Sequence, residues 1–186
     1  MYGLAADAPP RRVRAAARRC FEEMRRAGIT SVGEFCYLHH SKAPDAGSEG
    51  DYALDREVLA AAEEAGVRIR LLTTSYESSA VPGEADAAVA LGDAQRRFDT
   101  RGASAFLGAV GALEREVEAA ACQSVGLAAH SVRACTRETI GALGAHATTK
   151  SDGRRVMHIH LEEQTKELAE CAAANGGATP SEVRHA

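Results

Sequence analysis

Helix-like and strand-like stretches follow one another along this chain with few interruptions, and that alternation limits the fold more than any other feature. Arg11–Ala27, RRVRAAARRCFEEMRRA, repeats apolar positions at helical spacing among good helix formers, and Gly28 stands where a helix would end. Thr30–Leu38 reads as a buried strand, Pro44–Asp51 as a turn-rich loop, Asp55–Ala65 as a helix closed by Gly66, and Val67–Tyr76 as a second strand. Glu77–Gly102 is a long connection with little regular pattern, of the kind that often carries function. A helix over Ala103–Ala121, a strand over Ser124–His130 and a helix over Thr136–Ala145 follow. The loop HATTKSDGRR then leads to a strand, VMHIHL, and a last helix over Glu163–Asn175 backed by Gly176 and Gly177.

Strands joined by helical crossovers imply a parallel sheet. Four of them fit half of an eight-stranded (β/α) barrel or a small doubly wound sheet, and both place functional residues at the C-terminal strand ends. The 186 residues suit one domain with a real core. A net charge of −4 gives no global electrostatic reason to expect nucleic acid or an acidic membrane, and the Arg-rich start is offset by glutamates as on a solvated helix face. Five scattered cysteines, none in a C-x-x-C pair, argue for a reducing compartment. No stretch resembles a membrane span or signal peptide, so a cytoplasmic protein is expected.

Polar residues gather at the predicted strand ends: Tyr37, His39 and His40; Thr73, Thr74 and Tyr76; His130, Ser131 and Arg133; His158, His160, Glu163 and Gln164. Five of the seven histidines fall there, which favours a site over scatter. Each also has a plainer reading. His39 and His40 suit solvated loop positions, His130 a hydrogen-bonded core histidine, Arg133 a surface helix start, Tyr37 a packed rim aromatic, and His158 a support for the sheet. His160 with Glu163 is the sharper pair. A neutral imidazole at a strand end suits zinc, and a carboxylate one helical turn on can handle the proton of a metal-bound water. Arg133 is the natural partner for an anionic group, because its planar fork matches a carboxylate.

EFCYLHH (Glu34–His40), QRRF (Gln95–Phe98), HSVRA (His130–Ala134) and HIHLEEQTKEL (His158–Leu168) together resemble the N-formimino-L-glutamate deiminases, zinc-dependent (β/α)8 barrels of the amidohydrolase superfamily. The resemblance implies hydrolysis of N-formimino-L-glutamate to N-formyl-L-glutamate and ammonia, a step of histidine breakdown. It matches His160 to a zinc ligand, Glu163 to the catalytic acid/base, and Tyr37, His130 and Arg133 to substrate contacts. The family's EFHYLHH here has Cys36, and its AEQ is Glu162-Glu163-Gln164. It further implies a partial TIM-type barrel, strands two to five, as a single catalytic domain over 1–186 truncated at both ends. The zinc ligand set would then be incomplete in these residues, and the segment inactive alone. Expected partners are a carboxylate-bearing small molecule, no nucleic acid and no membrane, with a homodimer open for the complete enzyme. Two alternatives are a deaminase of the guanine or cytosine type and a non-catalytic half-barrel that self-associates through open sheet edges.

Overall fold

The computed structural model describes residues 7–83, 85–149 and 156–185; residues 150–155 of the HATTKSDGRR loop lie outside them. Helix α1 (Pro10–Arg26) leads to strand β1 (Ser31–Cys36), helix α2 (Ala53–Ala65), strand β2 (Arg68–Ser75) and helix α3 (Ala103–Glu116). Strand β3 (Gln123–Ala129), helix α4 (Arg137–Thr148), strand β4 (Met157–Ile159), helix α5 (Thr165–Ala174) and a short helix α6 (Pro180–His185) complete the order.

Local chemistry explains the boundaries. Pro10 opens α1, where its missing N–H is not needed, and Arg25 and Arg26 close it against the negative helix end. Arg14 pairs with Glu64, and Arg18 with Glu22, so the basic start of the chain is a solvated ion-paired face as its composition implied. Helix α2 ends at Gly66, whose φ of +68° lets Val67 N–H turn back to Ala62 O at 3.0 Å. Helix α3 stops at Glu116, short of the expected Ala121. Strand β4 pairs over three residues where six carry strand-like pattern, because Glu162 adopts φ +57° and turns the chain away. The same turn delays α5 to Thr165, leaving Glu163 before the helix and not in it.

All four strands are parallel and neighbour one another in chain order, β1-β2-β3-β4. A doubly wound sheet reverses its strand order at a switch point. This one does not reverse, and it curls: Phe35 of β1 stacks on His160, just past β4, with ring centroids 4.0 Å apart although two strands lie between. The architecture is therefore a curled half-barrel.

Alternation assigns the two faces. Cys36, Ile69, Leu71, Val125, Leu127 and Ala129 point toward the helices and form the core with Leu59, Phe106, Leu113 and Leu143. Phe35, Leu72, Gly126 and His130 take the opposite, inner face. Gly126 suits this crowded position, where a Cβ would stand 2.9 Å from Leu72 Cδ2 and 3.2 Å from Val156 O. Among the described residues, no helix is long and apolar enough to cross a membrane.

Candidate active site

Backbone bonds set the rim of the curled sheet. His130 N–H donates to Ser75 O, at the end of β2, at 3.0 Å and His160 N–H to His130 O at 3.2 Å, so the ladder continues one residue past β3 and β4. Side-chain parity then sends both imidazoles inward. The His130 ring meets His160 edge-on at 5.5 Å, Tyr37 at 5.0 Å and Tyr76 at 4.9 Å. Its Nδ1 is 3.1 Å from Ser131 Oγ. Burial, then the neighbouring His160 and Arg133, push the His130 pKa down to about 4, so this ring is neutral near pH 7. Three residues expected at a site, Tyr37, His130 and His160, thus share one aromatic cluster, with Phe35 as a member that sequence reasoning passed over. Phe35 lies two residues before Tyr37 on the same strand face, which was the available signal.

The other two expected residues form a second group beside it. Arg133, in the turn after β3, places Nη2 3.0 Å from Glu163 Oε2 and Nε 3.4 Å from Glu167 Oε1. The nearer contact is a hydrogen bond; the farther is an ion pair that lacks hydrogen-bond geometry. Glu167, which sequence reasoning also missed, is fully buried and accepts the Glu163 backbone N–H at 2.8 Å. His130 and Arg133 together line a cleft of about 340 Å³ with Tyr76, Gln95, Gln164 and Lys166. His158 is exposed on the inner face, one step below His160.

His39 and His40 correct the solvated-loop reading: both are fully buried. His39 Nδ1 donates to Asp55 Oδ2 at 2.8 Å and Nε2 to Thr74 O at 2.8 Å. His40 Nε2 donates to Asp99 O at 2.9 Å, while its Nδ1 accepts Tyr52 N–H at 3.3 Å. The QRRF tract serves the same region. Gln95 Nε2 donates to Tyr76 Oη at 2.8 Å, and the buried Arg97 gives Nε to His40 O at 2.8 Å and Nη2 to Ala8 O at 2.9 Å.

As a metal site the donors agree in kind with zinc. His160 offers an imidazole at a strand end, and burial keeps His130 neutral beside it. Three metal-capable groups approach within 4.8 Å among the described residues only at Cys36, His39 and Asp55. There both imidazole nitrogens are already hydrogen-bonded, and burial drives the Cys36 thiol pKa well up, so that cluster is a structural network.

Comparison with known proteins places this geometry. The amidohydrolase family model matches residues 3–185. Formimidoylglutamate deiminase of Pseudomonas aeruginosa is 35% identical over 179 residues, 95% of this chain and 36% of that protein. A crystal structure of an amidohydrolase from Brucella melitensis superposes with a TM-score of 0.81 at 30% identity, over 97% of this chain and 37% of that one. Atrazine chlorohydrolase TrzN from Arthrobacter aurescens TC1, complexed with zinc, shares the fold at a TM-score of 0.68 and 16% identity, over 96% and 36% of the two chains. The chain thus spans a little over a third of the length of the relatives it matches. With a family match over almost its whole length and a half-barrel whose polar residues meet at one rim, this chain belongs to the amidohydrolase family.

Proposed function

We propose that these residues form one side of a zinc-dependent active site that hydrolyses N-formimino-L-glutamate to N-formyl-L-glutamate and ammonia. The observation that carries this is the convergence of Tyr37, His130, His160, Arg133 and Glu163 on one rim, in a chain 35% identical to a formimidoylglutamate deiminase.

The chemistry follows from the groups present. His160 would be one ligand of a zinc ion, which when bound supplies a water acidic enough to ionise near neutral pH. Arg133 is placed to take a substrate carboxylate through its guanidinium fork. Glu163, next to it, would carry both protons of the attacking water, one after the other, to the formimino nitrogen. The water oxygen bonds to the formimino carbon, the C–N bond breaks, and the nitrogen leaves as ammonia. His130, neutral and hemmed in by Tyr37 and Tyr76, can hydrogen-bond to the reacting group without adding charge. Arg133 at the cleft favours an acidic substrate over a nucleobase.

Ammonia release by the intact, zinc-loaded protein from N-formimino-L-glutamate, guanine and cytosine tests the reading. Turnover of the formimino acid alone is expected; ammonia from a nucleobase in its place would move the assignment to another deaminase. The 186-residue chain by itself is expected to hold zinc weakly, because His160 is the single assigned ligand at the rim and zinc prefers about four. Stoichiometric zinc in that chain would show a fuller ligand set.

A further inference from the structure

Glu167 has no part in the chemistry just described, yet it touches two residues that do, Arg133 and Glu163. It lies in the first turn of α5, fully buried, with Oε2 on the Glu163 backbone N–H at 2.8 Å and Oε1 3.4 Å from Arg133 Nε. Glu163 reaches the same guanidinium at Nη2, 3.0 Å away. One cation is thus shared by two carboxylates of very different setting: the Glu163 side chain is 50% exposed and the Glu167 side chain 0%. A carboxylate from a substrate would bring a third anion to Arg133. The partner with water at its back loses least by leaving, whereas separating the buried one strands a charge away from solvent.

We propose that Glu167 is the permanent counter-ion of Arg133 and its positioning residue, and that Glu163 is an exchangeable counter-ion displaced by the substrate carboxylate. The proposal rests on the reading of this cleft as a site for a carboxylate-bearing substrate. It links binding to chemistry: while the cleft is empty, Glu163 is held on Arg133, and seating the substrate releases it for proton transfer. Glu167 keeps the guanidinium in place through the exchange and, through the Glu163 N–H, fixes the backbone from which Glu163 swings.

The test uses the intact protein with Glu167→Gln, which retains an oxygen for the Glu163 N–H and removes the charge. The KM for N-formimino-L-glutamate should rise about tenfold or more with kcat nearly unchanged. The Arg133 Nε–H resonance, read in protein with nitrogen-15-labelled arginine and assigned by its loss in Arg133→Lys, should shift and exchange faster with water. Glu163→Gln should leave that resonance in place, and glutarate, a dicarboxylate with no C–N bond to cleave, should shift it in the wild type. A role for Glu167 in stability alone would lower Tm and leave both KM and the resonance unmoved, which overturns the proposal. Wild-type protein inert toward N-formimino-L-glutamate would instead overturn the substrate, and the Arg133 resonance would still decide the positioning role. Should Glu167→Gln fail to fold, Arg133→Met/Glu167→Gln decides: a recovered Tm supports the pairing and no recovery refutes it.

Discussion

Removing the Asp55 carboxylate asks whether the loop after β1, which carries Tyr37, is pinned by charge or by an ordinary polar contact. Asp55 is fully buried at the start of α2, with Oδ2 on His39 Nδ1 at 2.8 Å and Oδ1 accepting from Thr73 Oγ1 at 3.3 Å. The other His39 nitrogen faces the Thr74 carbonyl at 2.8 Å. Both partners can only accept, so both ring nitrogens carry protons and His39 is an imidazolium. Burial opposes that charge, but the Asp55 carboxylate overrides it and holds the His39 pKa above its ordinary 6.5. Asp55→Ala leaves the ring either charged without its anion or neutral with a buried nitrogen and the Thr73 hydroxyl unpartnered, which costs about 3–5 kcal/mol. Against a total stability of roughly 5–15 kcal/mol, that is a severe loss. Asp55→Asn should cost only about 1–2 kcal/mol, because a neutral ring can keep Nε2–H on Thr74 O while Nδ1 accepts from the new amide.

The two variants also differ from the wild type in pH dependence. The folded chain keeps the His39 proton at pH values where the unfolded chain has released it. The pair's contribution is therefore whole below about pH 6.5 and fades as the pH rises through the raised folded value. Urea unfolding between about pH 6 and 9 should show this alkaline decline in the wild type and lose the His39 share of it in Asp55→Asn. An Ala variant within about 1 kcal/mol of wild type, or an Asn variant with the full wild-type slope, would refute the charged-pair account.

Other perturbations probe the cleft directly. In the metal-free protein the His130 imidazole signals should stay in the neutral form until the pH nears 4, and stability should fall as the pH drops from 6.5 toward that value; titration near 6.5 would contradict its enclosure. Glu163→Gln in the intact protein should cut turnover by about 10²–10⁴-fold with zinc content unchanged by metal analysis, and a near-wild-type rate would remove it from proton transfer. Arg133→Ala should raise KM by roughly 100-fold, as loss of a charge-assisted bidentate contact implies, with a smaller effect on kcat; an unaltered KM would end its carboxylate role.

Much of the fold was legible because periodicity is a local property. The helix and strand runs, and the faces presented by Phe35, Tyr37, His130 and His160, follow from spacing alone. What escaped depends on partners far away in the chain. His39 and His40 sit beside a strand end and look solvated, but their acceptors, Asp55 and the Asp99 carbonyl, lie 16 and 59 residues on. Arg97 looks like a surface residue of QRRF and is buried because the His40 and Ala8 carbonyls satisfy its guanidinium. Glu167 reads as one more polar residue of an exposed helix until Arg133 arrives from the preceding βα unit. The length of β4 was misread for a different reason: VMHIHL has strand composition throughout, and only the turn at Glu162 decides where pairing stops.

A histidine can bind a metal or move a proton only through a nitrogen that no other group already holds. By that test the EFCYLHH tract divides its labour along the strand. Phe35 and Tyr37 point to the inner rim and meet His160 and His130, while Cys36 points to the helices and His39 and His40 commit both nitrogens to fastening loops. The departure from the EFHYLHH pattern falls at Cys36, on the structural side. Its thiol is buried on the helix face of the sheet, 3.9 Å from Leu38 O, in the core shared with Ile69 and Leu71. Cysteine in place of histidine there should therefore register in packing and stability before it registers in chemistry. The imidazoles left for the inner rim are those just past β3 and β4, His130 and His160, at positions joined by a backbone hydrogen bond; this is why HIHLEEQ yields one ligand candidate in His160 and leaves His158 below the rim.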